Sequence, residues 1–113
     1  MDDCLFCNFA SGKANVRKVY EDEYMFIIKD IYPKATYHFL AIPKQHFAHI
    51  EDATPEQLDI LKYCFKKIAD LTEFLSLERG FRLVINQGDY AGQTIQHLHI
   101  HILGGEPLGW TPA

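Results

Sequence analysis

Hydrophobic positions along the chain follow two periods, and the switch between them divides it into elements. Tyr24–Lys29 (YMFIIK) is dense in aromatic and β-branched residues and predicts a strand, stopped by Asp30 and Pro33. His38–Ile42 (HFLAI) predicts another, ending at Pro43, and Val19–Glu21 a shorter one ahead of both. Residues 3–12 (DCLFCNFASG) suggest a short helix ended by Gly12. After Thr54 the period becomes helical. Leu58, Leu61, Phe65, Ile68, Thr72 and Leu75 recur at helical spacing and leave Lys62, Lys66, Asp70 and Glu73 outside. Thr54 as N-cap, Pro55 behind it and Gln57 completing a capping box mark the start, with Gly80 as the expected stop. Phe81–Asn86 (FRLVIN) returns to a strand, Gly88–Thr94 (GDYAGQT) makes a turn-like loop, and Gln96–Leu103 (QHLHIHIL) is the last strand. Strands interrupted by one crossover helix predict an α+β fold on an antiparallel sheet.

The last strand carries the chemistry. Side chains of a strand alternate, so Leu98, Ile100 and Ile102 take the core side and His97, His99 and His101 share the other. Polar strand faces draw mostly on Thr, Lys, Glu and Ser, so three imidazoles in phase point to a working site. One reading is a metal centre, since His-x-His on a strand can aim both rings at one zinc. Another is nucleophilic catalysis, in which a neutral imidazole attacks an electrophile such as phosphorus. The loop Asn86–Thr94, with its glycines, amides and hydroxyl, is of the type that turns backbone N–H groups toward phosphate oxygens.

Bulk properties narrow the field. A chain of 113 residues suits one domain, 1–113, with one core. A net charge of −4 argues against broad binding to nucleic acid, which wants a basic face, yet leaves room for a small anionic ligand. No apolar run approaches membrane-spanning length and nothing resembles a signal peptide. Three cysteines do not make a disulfide framework, so a cytoplasmic protein is expected. Cys4-Leu5-Phe6-Cys7 has three readings: a redox pair, which would want a preceding strand; two apolar helix cysteines; or half of a zinc site needing two more ligands. Cys64, inside the long helix, reads as a small apolar residue, and His49 as a surface histidine.

The stripe His97–Leu103, preceded by Gly92-Gln93-Thr94, resembles the signature of the histidine triad family of nucleotide hydrolases and transferases. HFLAIPKQH (38–46) and KDIYPKATYHF (29–39) resemble further family segments, and the likeness runs from Cys4 to Trp110. A third histidine, where the uridylyltransferase branch has glutamine, favours the hydrolase branches. The tail Leu103-Gly104-Gly105…Gly109-Trp110 is most similar to the purine nucleoside phosphoramidase branch.

The resemblance implies a five-stranded antiparallel sheet with two helices, and a homodimer joining two sheets into ten strands. It implies cleavage of nucleoside phosphoramidates or related AMP or GMP conjugates, with no catalytic cofactor. The alternatives are a nucleotide- or partner-binding module with little turnover, a dinucleoside polyphosphate hydrolase, or a metal-binding protein with the triad as its centre. His99 would be the nucleophile, His101 would attend the phosphate, and His38 would support the triad. Gln93 and Thr94, beside Gly92, would hold phosphate or leaving-group atoms, with Asn86 lining the pocket. Asp30 would accept from the ribose hydroxyls, with Phe26, Ile28 and Lys29 near base and sugar, and Trp110 would reach the partner's site. Attack through Nε2 needs the proton on Nδ1, so a fixed acceptor, a backbone carbonyl, should sit behind His99. In relatives with an N-terminal C-x-x-C a structural zinc is completed by two histidines, here giving Cys4, Cys7, His46 and His97. A zinc-bound His97 could not also donate a proton to the leaving group.

Overall fold

The computed structural model describes residues 3–109. Five strands form one antiparallel sheet in the order β1-β2-β3-β5-β4. They are β1 (Lys18–Glu21), β2 (Met25–Lys29), β3 (Tyr37–Pro43), β4 (Phe81–Val84) and β5 (Ile100–Gly104). Helix α1 (Leu5–Ser11) precedes them and α2 (Pro55–Asp70) crosses from β3 to β4. This is the α+β arrangement expected.

The sheet is buried on both sides. Met25, Ile27, Phe39, Ala41, Ile100 and Ile102 pack under α2. Phe26, Ile28, Leu40 and Ile42 face the other way and are covered by Phe6 of α1. Strand β2 alternates between the two cores, so its sequence is apolar throughout rather than striped.

Both helices begin as their sequences dictate. Thr54 Oγ1 accepts from the Gln57 amide at 3.2 Å, and Gln57 Oε1 accepts from the Thr54 amide at 2.9 Å. In α1 the cap is Cys4, whose sulfur accepts from the Cys7 amide at 3.4 Å. Gly12 ends α1 in the left-handed region at φ 82°.

Three boundaries differ from expectation. Helix α2 ends at Asp70, well before Gly80, and residues 71–76 continue as turns. There the Leu77 amide bonds to Thr72 O at 2.8 Å, which tucks Leu77 into the core beside Gly104. Its buried stripe is Leu61, Cys64 and Ile68, while Leu58 and Phe65 stay 41% and 40% exposed. Strand β4 stops at Val84, two residues short of the expected end. Strand β5 starts only at Ile100, because the Leu98 amide bonds to Phe47 O at 2.7 Å rather than to a neighbouring strand.

One carboxylate organises the β1–β2 turn. Asp22 accepts from the Tyr20 hydroxyl at 2.8 Å, the Tyr63 hydroxyl at 2.6 Å and the amides of Tyr24 and Met25 at 2.8 and 3.0 Å. Tyr63 lies on α2, so Asp22 ties the turn to that helix. No helix among the described residues is long and apolar enough to cross a membrane.

Candidate active site and metal cluster

The three histidines lie on the α1 side of the sheet, but their ring nitrogens have different partners. His101 sits in β5 opposite Leu40 and Val84. His99 and His97 come just before the strand and are buried under Phe6, whose ring meets both edge-on. The residues of α1 close over this side of the sheet.

Hydrogen bonds fix each tautomer, because an amide N–H only donates and a carbonyl oxygen only accepts. His99 Nδ1 lies 2.8 Å from His97 O, so it carries the proton and leaves Nε2 with a free lone pair. The carbonyl expected behind His99 is the backbone oxygen of His97. The Lys34 amide donates to His38 Nδ1 at 3.0 Å, which puts the His38 proton on Nε2. That proton faces His101 Nδ1 at 2.9 Å, so a neutral His101 bears its own proton on Nε2. His97 Nε2 donates to Pro43 O at 2.7 Å and turns the Nδ1 lone pair away from the other two rings. Burial above all, helped by His99 and His38, pushes His101 down to about 4, so it is neutral near pH 7. Burial likewise lowers His38, against the opposing charge of Asp30.

His97 Nδ1 points into a second cluster. It lies 3.4 Å from Cys4 Sγ, 3.6 Å from Cys7 Sγ and 3.2 Å from His46 Nδ1, and Cys7 Sγ is 3.3 Å from His46 Nδ1. All four ligand atoms lie within 4.8 Å of one another, so the group can hold a metal ion. The Pro43 carbonyl behind His97 is the outer hydrogen bond that metal-binding imidazoles use to fix their tautomer. Burial and the neighbouring Cys4 raise the Cys7 thiol to about 11. Thiolates here therefore call for a bound cation. Asp30, His38 and His101 are similarly close, but the His38–His101 hydrogen bond occupies the facing nitrogens. The triad itself is not a shared ligand group among the described residues.

A cavity of about 420 Å³ opens in front of His99 and His101. Its apolar wall is Leu5, Phe6, Phe9, Val16, Ile28 and Leu40, and its polar rim includes Lys29, Asp30, Asn86, Gly92 and Thr94. A smaller recess of about 280 Å³ shares Asp30, Tyr32, Asn86 and His101, and adds Lys34 and His38.

Residues 3–108 match the family model for the scavenger mRNA decapping enzyme C-terminal binding region. A HIT family hydrolase from Legionella pneumophila Philadelphia 1 superposes with TM-score 0.92 at 37% identity, covering 98% of this chain and 100% of that one. The chain belongs to the histidine triad family. A Zn-bound histidine triad protein from Mycobacterium smegmatis is 33% identical with TM-score 0.78, covering 96% of this chain and 81% of its own. A histidine triad nucleotide-binding protein from Candida albicans is 27% identical with TM-score 0.79, covering 98% and 85%.

Within this histidine triad domain most residues singled out in the sequence lie at the cavity or in the Cys/His cluster, and Phe26 and Gln93 do not. Phe26 is fully buried in the core under Phe6 and does not line the cavity; Ile28, two residues on along the same face of β2, does. Gln93 is buried, with its side-chain oxygen accepting from the Gly88 amide at 2.8 Å and its nitrogen donating to Ala48 O at 3.1 Å. Its side chain braces the loop instead of facing the cavity. Asp30 divides its oxygens: Oδ1 caps the Tyr32 amide at 2.8 Å, and Oδ2 lies 3.4 Å from His38 Nε2. Trp110 lies outside the described residues. His49 sits at the surface 3.8 Å from Asp52, away from both clusters. Sequence reading missed the α1 wall; its one signal was Phe6 and Phe9 on one face of a helix otherwise read only for its cysteines.

Proposed function

We propose that this protein is a nucleotide hydrolase that cleaves nucleoside phosphoramidates or related purine nucleoside monophosphate conjugates through a nucleotidyl-histidine intermediate. The observation that carries this reading is the 2.8 Å bond from His99 Nδ1 to His97 O, which frees Nε2 to attack. The nucleoside occupies the apolar cavity, with Asp30 accepting from the ribose diol and Ile28 and Lys29 beside base and sugar. Asn86, Gly92 and Thr94 border the phosphate.

In the first step the Nε2 lone pair of His99 attacks the α-phosphorus. The Nε2–P bond forms, the scissile P–N bond breaks, and the amine leaves with its electron pair and takes a proton from water. His101, neutral at pH 7, keeps its Nε2 proton and donates a hydrogen bond to a phosphoryl oxygen as charge develops there. A water, giving a proton to the hydroxide left by the first step, then attacks the same phosphorus, the Nε2–P bond breaks, and nucleoside monophosphate departs with His99 restored. His97 has no proton to give: Nε2 is held by Pro43 and Nδ1 faces the cysteines.

The metal is read as structural zinc on Cys4, Cys7, His46 and His97. Tetrahedral zinc spaces sulfur from nitrogen by about 3.6 Å and nitrogen from nitrogen by about 3.3 Å. Three of the four sulfur–nitrogen separations here are 3.3–3.6 Å and the nitrogen pair is 3.2 Å apart. Such an ion supplies folding energy and no catalytic step. The working unit is read as a cytoplasmic homodimer: β4 is an edge strand, and its first residue, Phe81, is 36% exposed. Trp110 would then approach the partner's leaving group. Nothing in this reading involves nucleic acid or membrane.

The test is hydrolysis of an adenosine phosphoramidate by His99→Ala. Loss of turnover with AMP binding retained supports the enzyme; equally slow turnover in both proteins favours a binding module.

A further inference from the structure

Phe6 stands between two ligands of the metal cluster and against the nucleophile. Cys4 and Cys7 flank it in sequence, and its ring is 2% exposed. The ring centroid is 5.8 Å from His97 and 5.2 Å from His99, edge-on to both at 83° and 76°. Together with Leu5 and Phe9 it also walls the cavity.

Helix α1 has only seven residues, too few to persist by backbone hydrogen bonding alone. Its place over the sheet comes from the apolar packing of Phe6 and from the sulfurs gathered around His97 and His46. The same cluster reaches His99 by a second route. His97 offers Nδ1 to the cysteines, and its backbone oxygen holds His99 Nδ1 at 2.8 Å. An ion on the four ligands therefore bears on the nucleophile from two directions, through the Phe6 ring and through the His97 carbonyl.

We infer that Phe6 is a positioning residue that couples the metal cluster to His99 and to the nucleotide wall, so that metal and nucleotide bind with positive cooperativity. The inference rests on the nucleotide reading above. Two sites linked through one ordered element must affect each other reciprocally. A nucleotide seated against Phe6 favours the α1 placement in which the four ligands converge. Metal binding selects that placement in return.

The experiment measures zinc affinity by competition with a chromogenic chelator, with and without saturating AMP. Affinity for AMP is measured in parallel by calorimetry on zinc-loaded and chelator-stripped protein. In the native chain AMP should tighten zinc at least about fivefold, with the same factor in the reverse direction. Phe6→Ala should still take up zinc on its four ligands while the coupling falls to within about twofold. Phe6→Leu, which keeps most of the volume but not the ring edge, should fall between, and it carries the test if the alanine variant does not fold. Imidazole nitrogen NMR supplies a further readout: the His99 Nδ1–H signature should be sharp with zinc and averaged without it. Equal zinc affinity with and without AMP, or full coupling in both Phe6 variants, overturns the inference alone. Failure of the zinc-loaded native chain to bind AMP overturns the nucleotide reading and this inference with it.

Discussion

Replacing His38 by phenylalanine removes one proton donor while leaving a ring of similar size between β3 and β5. In the native chain the Lys34 amide fixes His38, and His38 Nε2 donates to His101 Nδ1 at 2.9 Å. That donation leaves the His101 proton on Nε2, the nitrogen that meets the phosphoryl group in the proposed reaction. Without it, His101 can place its proton on Nδ1 and present a lone pair to an anionic phosphoryl group. Losing a partner that orients a functional histidine costs roughly 10–100-fold, or about 1.4–2.7 kcal/mol of barrier. Losing the phosphate-facing donor itself, in His101→Ala, costs roughly 10²–10³-fold. His38 acts only through His101, so the double variant should be no slower than His101→Ala alone. The assay is steady-state hydrolysis of an adenosine phosphoramidate, and the loss should fall in kcat with KM little changed. Stability should be followed in parallel, because the Lys34 amide loses its acceptor. Multiplying losses in the double variant, or an unaltered kcat in His38→Phe, would refute the proton assignment.

Other consequences can be checked as directly. Asp22→Asn should destabilise the fold by roughly 2–4 kcal/mol, since four donors lose a charged acceptor; denaturant titration measures it. Burial alone would raise the Asp22 carboxyl, but hydrogen bonds from Tyr63, Tyr24, Tyr20 and Met25 outweigh it and hold the group below its ordinary 3.8. Its contribution is therefore complete above that value and disappears as pH falls through the lower folded one, so the variant should lose the wild-type decline on the acid side of about pH 4. Cys7→Ser should lose most bound metal by elemental analysis and melt at lower temperature, whereas Cys64→Ala should keep its metal because Cys64 lies on the buried face of α2, outside the cluster. Gly104→Ala would put a Cβ 2.6 Å from the Leu77 side chain and 3.3 Å from Gly80 O, and should cost roughly 1–3 kcal/mol in the same titration.

Local chemistry was the legible part of the sequence. The capping box at Thr54 and Gln57 and the glycine after α1 act within a few residues, and both stand as read. The His-x-His-x-His stripe announced a site because strand geometry alone puts those side chains on one side. What could not be read was settled by distant partners. Strand β5 starts late because Leu98 bonds to Phe47, far back along the chain. The apolar pattern of α2 runs on through Leu71 to Leu77, so nothing local reveals that the last residues turn rather than coil. Strand β2 has a core on each face, so its apolar run gave no sign that Phe26 and Ile28 share a face on which only Ile28 reaches the cavity. The different proton placements of the three histidines depend on carbonyl acceptors at Pro43 and His97 and on the His38 donor, brought together only by folding.

The central claim is that His99 becomes covalently nucleotidylated, and trapping that adduct tests it most directly. Native protein turning over an adenosine phosphoramidate is quenched in alkali at early times and analysed by intact mass and peptide mapping. One adenylyl group per chain is expected on the peptide carrying His99, confined to that imidazole, chased to AMP with time and absent from His99→Ala. Product formation with no adduct at any time, or an adduct on His97 or His101 instead, would contradict it.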